Sequence, residues 1–127
     1  AFAMEVCWYT DPIIKRKVPE ALEKVWLLMK RDKFIYELSW WEKQRVAIAR
    51  ALVHDPKMII ADEATWNLDP TTAREIMDIF IDINLDWKTV IMATHDKNIV
   101  NSLKKRVVTF DNKQVVSDIE KWTYNLD

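Results

Sequence analysis

Met58-Ile59-Ile60-Ala61-Asp62-Glu63 is a run of four apolar residues ending in two adjacent acids. A short apolar run without polar alternation predicts a strand buried on both faces, as in a parallel sheet. Thr89-Val90-Ile91-Met92-Ala93 is a second such run, followed at once by Thr94-His95-Asp96. Between them, Asp69-Pro70 combines an N-cap residue with proline at the first helical position. Ile76, Ile79, Phe80 and Ile83 then recur at i, i+3, i+4 and i+7, which gives one buried helical stripe.

Upstream, Ser39 with Glu42 three places on has capping-box spacing. The helix it opens runs to about His54, with Val46, Ala49 and Leu52-Val53 on one side, and Asp55-Pro56 ends it. Before that, Asp11-Pro12 reads as another cap followed by proline, and Pro19 restarts or kinks the helix. Leu22, Val25 and Trp26 form an apolar face near its end. Downstream, Ile99 and Leu103 lie on a short helix. Segments 106–110 and 114–117 read as a hairpin around Asp111-Asn112-Lys113, and the tail from Asp118 is polar and loosely held. Buried strands alternating with amphipathic helices predict an α/β layered fold with a parallel sheet.

The chain has 127 residues, enough for about one domain with a real core. Lys+Arg is 19 and Asp+Glu is 20, a net charge of −1 that argues against a general electrostatic grip on nucleic acid or anionic membrane. The single cysteine, Cys7, excludes an internal disulfide and points to a reducing compartment. No apolar run reaches the ~18 residues of a membrane span. The opening Ala1-Phe2-Ala3-Met4-Glu5 lacks the pattern of a signal peptide.

In parallel α/β sheets, sites sit at the carboxyl ends of strands. Two such ends here carry reactive groups, Asp62-Glu63 and His95. Adjacent carboxylates ending an apolar strand suit Mg²⁺-phosphate chemistry, one holding the metal and the other polarising a water. Taken alone, acids at strand ends are commonly just solvated. The neighbouring motifs change the balance.

Leu38-Ser39-Trp40-Trp41-Glu42-Lys43-Gln44-Arg45, followed by Val46-Ala47-Ile48-Ala49-Arg50-Ala51-Leu52, resembles the signature segment of ABC-transporter ATPases, L-S-G-G-[QE] then Q-R-V-A-I-A-R-A-L. Residues 58–63 resemble that family's Walker B strand with its catalytic glutamate. Asn67-Leu68-Asp69 resembles the D-loop and His95 the switch histidine. Four motifs in the right order and spacing are highly specific, and the resemblance covers essentially the whole chain. Val90 to Asp96, Ile99-Val100-Asn101 and Lys105-Arg106-Val107-Val108 look most like the cell-division group within the family.

The resemblance implies a P-loop NTPase-like parallel sheet layer with a helical signature subdomain. Residues 1–55 would be that subdomain and 56–127 the C-terminal part of the catalytic core. It implies ATP and Mg²⁺ as cofactors. Glu63 and His95 would be catalytic, Ser39, Trp40, Trp41, Glu42 and Asp69 would contact ATP, and Asp62 would hold Mg²⁺ through water. The implied partners are a second copy, joined through an ATP sandwich, and an integral membrane subunit. No nucleic acid is implied, nor direct insertion into the membrane, and the implied location is the inner face of the cell membrane. Export or lipoprotein-releasing ATPases are an alternative. Chromosome-maintenance and DNA-repair ATPase lobes are a second, although no sustained heptads precede Ser39.

Three departures stand out. The phosphate-binding pattern G-x-x-x-x-G-K-[ST] is missing, and Trp87-Lys88-Thr89 does not supply it, because the first glycine would fall on Asp82. The family carries that loop upstream of this segment, so the expectation is a fragment inactive by itself. Ala64 stands where the family usually has proline. Finally, glycine is 0 where roughly nine are expected at about 7% usage, and tryptophan is 7. Trp8, Trp26, Trp40, Trp41, Trp66, Trp87 and Trp122 all fall where the resemblance expects glycine. Core packing would account for Trp26, but not for the adjacent pair Trp40-Trp41. UGA is read as glycine in some genetic codes and as tryptophan in others, so one codon read differently would exchange the two counts.

Overall fold

A computed structural model describes residues 10–120. Cys7, Trp8, Trp122 and the end of the tail lie outside them. The chain divides after Ala93 into two compact units.

The first unit opens on helix α1 (Asp11–Lys24), followed by two single 3₁₀ turns, Leu28–Lys30 and Ile35–Glu37. Helix α2 (Trp40–Leu52), strand β1 (Met58–Asp62), helix α3 (Pro70–Leu85) and strand β2 (Thr89–Ala93) complete it. β1 and β2 pair in parallel, from Met58 opposite Thr89 to Asp62 opposite Ala93, with α3 as the crossover between them. The expected stripe of α3 is the centre of the core: Ile76, Ile79, Phe80 and Ile83 are all buried. Ile59 and Ala61 of β1 join it, as do Ile48, Ala49 and Leu52 of α2.

Asp69 caps α3 as expected, with Pro70 at the first helical position. The cap at α1 is displaced by one residue. Thr10 is the N-cap and Asp11 is already in the first turn, where its charge favours the helix N-terminus. Pro19 neither restarts nor breaks α1, which runs through it. The carbonyl that Pro19 cannot bond belongs to Lys15, an exposed residue, while Ile14 and Ala21 hold the helix to the interior. Val25 is buried but Trp26 is half exposed, because the chain turns left-handed there and swings the indole off the helix face.

Neither strand is buried on two faces: β1 is buried on one, and β2 is half-buried on one. β1 alternates, with Ile59 and Ala61 buried and Ile60 72% exposed. Met58 and Ile91 are also exposed. Helices within these residues cover only one side of the β1–β2 pair, so the apolar run reads as doubly buried in sequence and singly buried in structure.

The second unit holds helix α4 (Lys97–Leu103) and the antiparallel hairpin of β3 (Val107–Asp111) and β4 (Gln114–Ile119). Asp96 caps α4, its Oδ1 accepting from the Asn98 and Ile99 amides at 2.8 and 3.4 Å. Asn112 and Lys113 both have positive φ, 46° and 65°, as a two-residue type I′ turn requires. Asp118 and Ile119 belong to β4 rather than to a loose tail. Arg106 forks onto Asp118 with bonds of 2.9 and 2.7 Å, and this pairing holds the Asp118 carboxyl below its usual pKa.

Ile79→Ala is expected to lower the unfolding free energy by about 2–5 kcal/mol, read by urea denaturation, because it empties a fully buried position. Ile60→Ala, on the open face of β1, is expected to stay within about 0.5 kcal/mol of the parent.

Candidate functional site

The first turn of α2 is built by a complete capping box. Ser39 Oγ accepts from the Glu42 amide at 3.4 Å, and Glu42 Oε2 accepts from the Ser39 amide at 2.9 Å. Ser39 Oγ–H also donates to Glu42 Oε2 at 3.0 Å, and Lys30 Nζ lies 3.4 Å from Oε1. The Glu42 carboxyl is therefore held below its ordinary pKa, chiefly by the Ser39 amide. Glu42 is buried and its oxygens are engaged, so its place is to fix Ser39. Trp40 and Trp41 occupy the first helical turn and both are exposed. Amides in such a turn form an anion-binding end.

The next two residues anchor α2 to different parts of the unit. Gln44 Nε2 donates to the Ala64 carbonyl at 3.0 Å, in the turn that follows Glu63. Arg45 pairs with Glu75 of α3, and its side chain is only 7% exposed. The Arg45 guanidinium also lies 5.3 Å from the ring centres of both Trp26 and Trp41. Its Nε has no hydrogen-bond partner. Sequence reading quoted Gln44 and Arg45 inside a motif without assigning them a task. Only tertiary contacts reveal one.

At the carboxyl end of β1, Asp62 is exposed and Glu63 is half buried. Glu63 has φ 48°, the left-handed region. Its amide donates to the Ala93 carbonyl at 2.9 Å, which ties the turn to the end of β2. Its carbonyl accepts from the Trp66 amide at 2.9 Å, closing the turn. A non-glycine residue in this region stores strain of about 1–3 kcal/mol, which persists where neighbours over-determine the backbone. Asp69 follows: Oδ1 accepts from the Thr71 and Thr72 amides at 3.0 and 3.1 Å, and Oδ2 from the Thr72 hydroxyl at 2.5 Å. These bonds, the Thr72 hydroxyl first, hold the Asp69 carboxyl below its usual pKa.

The first unit thus carries Ser39, Trp40, Trp41, Glu42, Asp62, Glu63 and Asp69. His95 is exposed and lies in the second unit, two residues past the end of β2. Among the described residues no three His, Cys, Asp or Glu side chains gather into a metal cage. A single exposed carboxylate such as Asp62 fits Mg²⁺, which takes one or two carboxylates and fills its remaining positions with water and substrate phosphate. No described helix is long and apolar enough to cross a membrane.

Residues 5–66 match the sequence profile of the ABC transporter family. The chain is 49% identical, over its whole length, to the cell division ATP-binding protein FtsE of Streptococcus pneumoniae, and 48% identical to FtsE of Mycobacterium tuberculosis. It covers 55% of each, so it spans about half the length of these relatives. A methionine import ATP-binding protein, MetN 1 of Staphylococcus epidermidis, is 44% identical over 81% of the chain and 30% of that relative. Among solved structures, cbiO1 of Clostridium perfringens, part of the ABC transporter complex cbiONQ, superposes with a TM-score of 0.81 at 34% identity. That match covers 87% of this chain and 44% of cbiO1. A dimeric ATP-binding cassette in a post-hydrolysis state, bound to ADP and Pi, superposes with a TM-score of 0.73 at 30% identity, over 91% of this chain and 50% of that one. Residues 5–66 thus carry the sequence of the ABC transporter family, and the fold is the α/β, P-loop NTPase-like fold of those structures. Within the family it is similar to the FtsE proteins along its full length.

Ser39→Ala is expected to lower the unfolding free energy by about 1 kcal/mol through loss of the cap. Glu42→Gln is expected to destabilise the chain at neutral pH. A carboxyl with a depressed folded pKa contributes stability that is present above its unfolded pKa and lost as pH falls through the folded one. The gap between parent and Glu42→Gln should therefore narrow in acid, as read by denaturation at a series of pH values.

Proposed function

We propose that the full-length protein is the ATP-binding and ATP-hydrolysing subunit of an ABC-type membrane complex. In this reading it is FtsE-like and acts in cell division with an FtsX-like integral membrane partner. The observation that carries the reading is the 48–49% identity to FtsE proteins over the whole chain, together with four ordered motifs that lie at two helix starts and two strand ends.

In this reading residues 1–55 are the helical signature subdomain and 56–127 belong to the catalytic core. Two copies join head to tail around ATP on the inner face of the membrane. Ser39 and the amides at 40 and 41 bind the terminal phosphate of ATP held by the opposite copy, where a helix N-terminus favours negative charge. Glu42 acts through Ser39, fixing the cap in place. Asp62 holds Mg²⁺ through water, and that ion neutralises phosphate charge. Glu63 polarises the attacking water, with its direction set by the left-handed turn. His95 contacts the terminal phosphate, and Asp69 couples the two sites across the dimer.

The MetN likeness favours a second reading, in which the membrane partner moves a substrate. The membrane subunit that co-purifies with the full-length protein separates the two. For the full-length protein, Glu63→Gln is expected to lower ATP turnover by about 100-fold or more with nucleotide binding retained. Unchanged turnover in a steady-state phosphate-release assay would overturn the role given to Glu63.

A further inference from the structure

We propose that the protein as made in its source organism carries glycine at positions 8, 26, 40, 41, 66, 87 and 122, encoded by UGA codons that this organism reads as glycine. The inference rests on the composition and the backbone, and it stands whether or not the chain binds ATP.

The backbone at the end of α1 is the first support. Val25 is the C-cap, so Trp26 takes the position just beyond it, with φ 59°. The Trp26 amide donates to the Glu23 carbonyl at 2.9 Å and the Leu27 amide to the Leu22 carbonyl at 2.8 Å. Those two bonds define a complete Schellman motif, and its left-handed residue is ordinarily glycine. Leu27 beyond it is buried, as the motif requires.

The end of α3 repeats the left-handed residue and one of the two bonds. Asp86 is the C-cap and Trp87 follows with φ 63°. The Trp87 amide donates to the Asn84 carbonyl at 3.1 Å. A side chain with a Cβ is crowded in the left-handed region, and only Gly, Asn and Asp visit it routinely. Two independent helix ends thus place tryptophan at the position that most favours glycine.

Exposure is the second support. Tryptophan is among the most buried residues on average. Yet Trp26, Trp40, Trp41, Trp66 and Trp87 are all exposed, Trp87 at 97%. The stacking of Arg45 between Trp26 and Trp41 is the one specific contact that the indoles make among the features described above. It explains neither Trp40, Trp66 nor Trp87. Composition is the third support: a chain of this length without a single glycine and with seven tryptophans is what one exchanged codon leaves.

The test is tryptic peptide mass spectrometry of the protein from its own organism, with sequencing of its gene. Peptides 25–30, 34–43, 58–74 and 75–88 carry positions 26, 40 with 41, 66 and 87. Each is expected to be lighter than the printed sequence by one tryptophan-to-glycine exchange, and peptide 34–43 by two, with TGA at each codon. Peptides at the mass of the printed sequence, or TGG codons, overturn the proposal. Neither readout involves nucleotide, so failure here leaves the ATPase reading to its own assay.

Discussion

Two neighbouring side chains on α2 hold the first unit together. Gln44 bonds the turn after Glu63, and Arg45 pairs with Glu75 on α3. Consecutive helix residues point about 100° apart, so one helix reaches two different elements from a single turn. A buried guanidinium that loses its partner is an uncompensated charge, and breaking such a pair is strongly destabilising. The capping box one turn earlier then inherits a fixed position. The proposed ATP-facing end of α2 and the acid-bearing turn of β1 are thus parts of one braced assembly.

The structure also separates carboxylates engaged in helix caps from carboxylates at a strand end. Glu42 and Asp69, both expected at a nucleotide, spend their oxygens on backbone amides and hydroxyls of their own helices. Their carboxyls are held ionised by those bonds. Each therefore does its work as a fixed negative cap, and any contact with a ligand would be made by the helix end that it shapes. Asp62 and Glu63 are different. They sit at the open end of a strand, where the backbone is pinned to β2 through Ala93.

Local chemistry was legible in the sequence, and tertiary chemistry was not. The caps at Ser39 and Asp69 and the stripe of α3 follow from spacing alone, because a cap and a helical period are decided within a few residues. Both strands were placed correctly by their apolar runs. Their burial was not, since a run such as 58–61 says nothing about which faces other elements cover. Pro19 shows the opposite limit: a strong local breaker lost to the packing of Ile14 and Ala21. Spacing puts Trp26 on the apolar face of Leu22 and Val25, but a left-handed turn sends it outward. The Gln44–Ala64 and Arg45–Glu75 contacts span 20 and 30 residues and leave no periodic trace.

The left-handed backbone at Glu63 sets two selective pressures against each other. A search for thermal robustness alone would replace it with glycine or asparagine, which relax the turn but discard the acid, or with aspartate, which keeps the acid and withdraws it by one methylene. Purely stability-guided engineering of this chain would therefore flag position 63 as an error to be repaired. Under the proposed role of Glu63, the backbone preference at this position gives way to the side chain's reach.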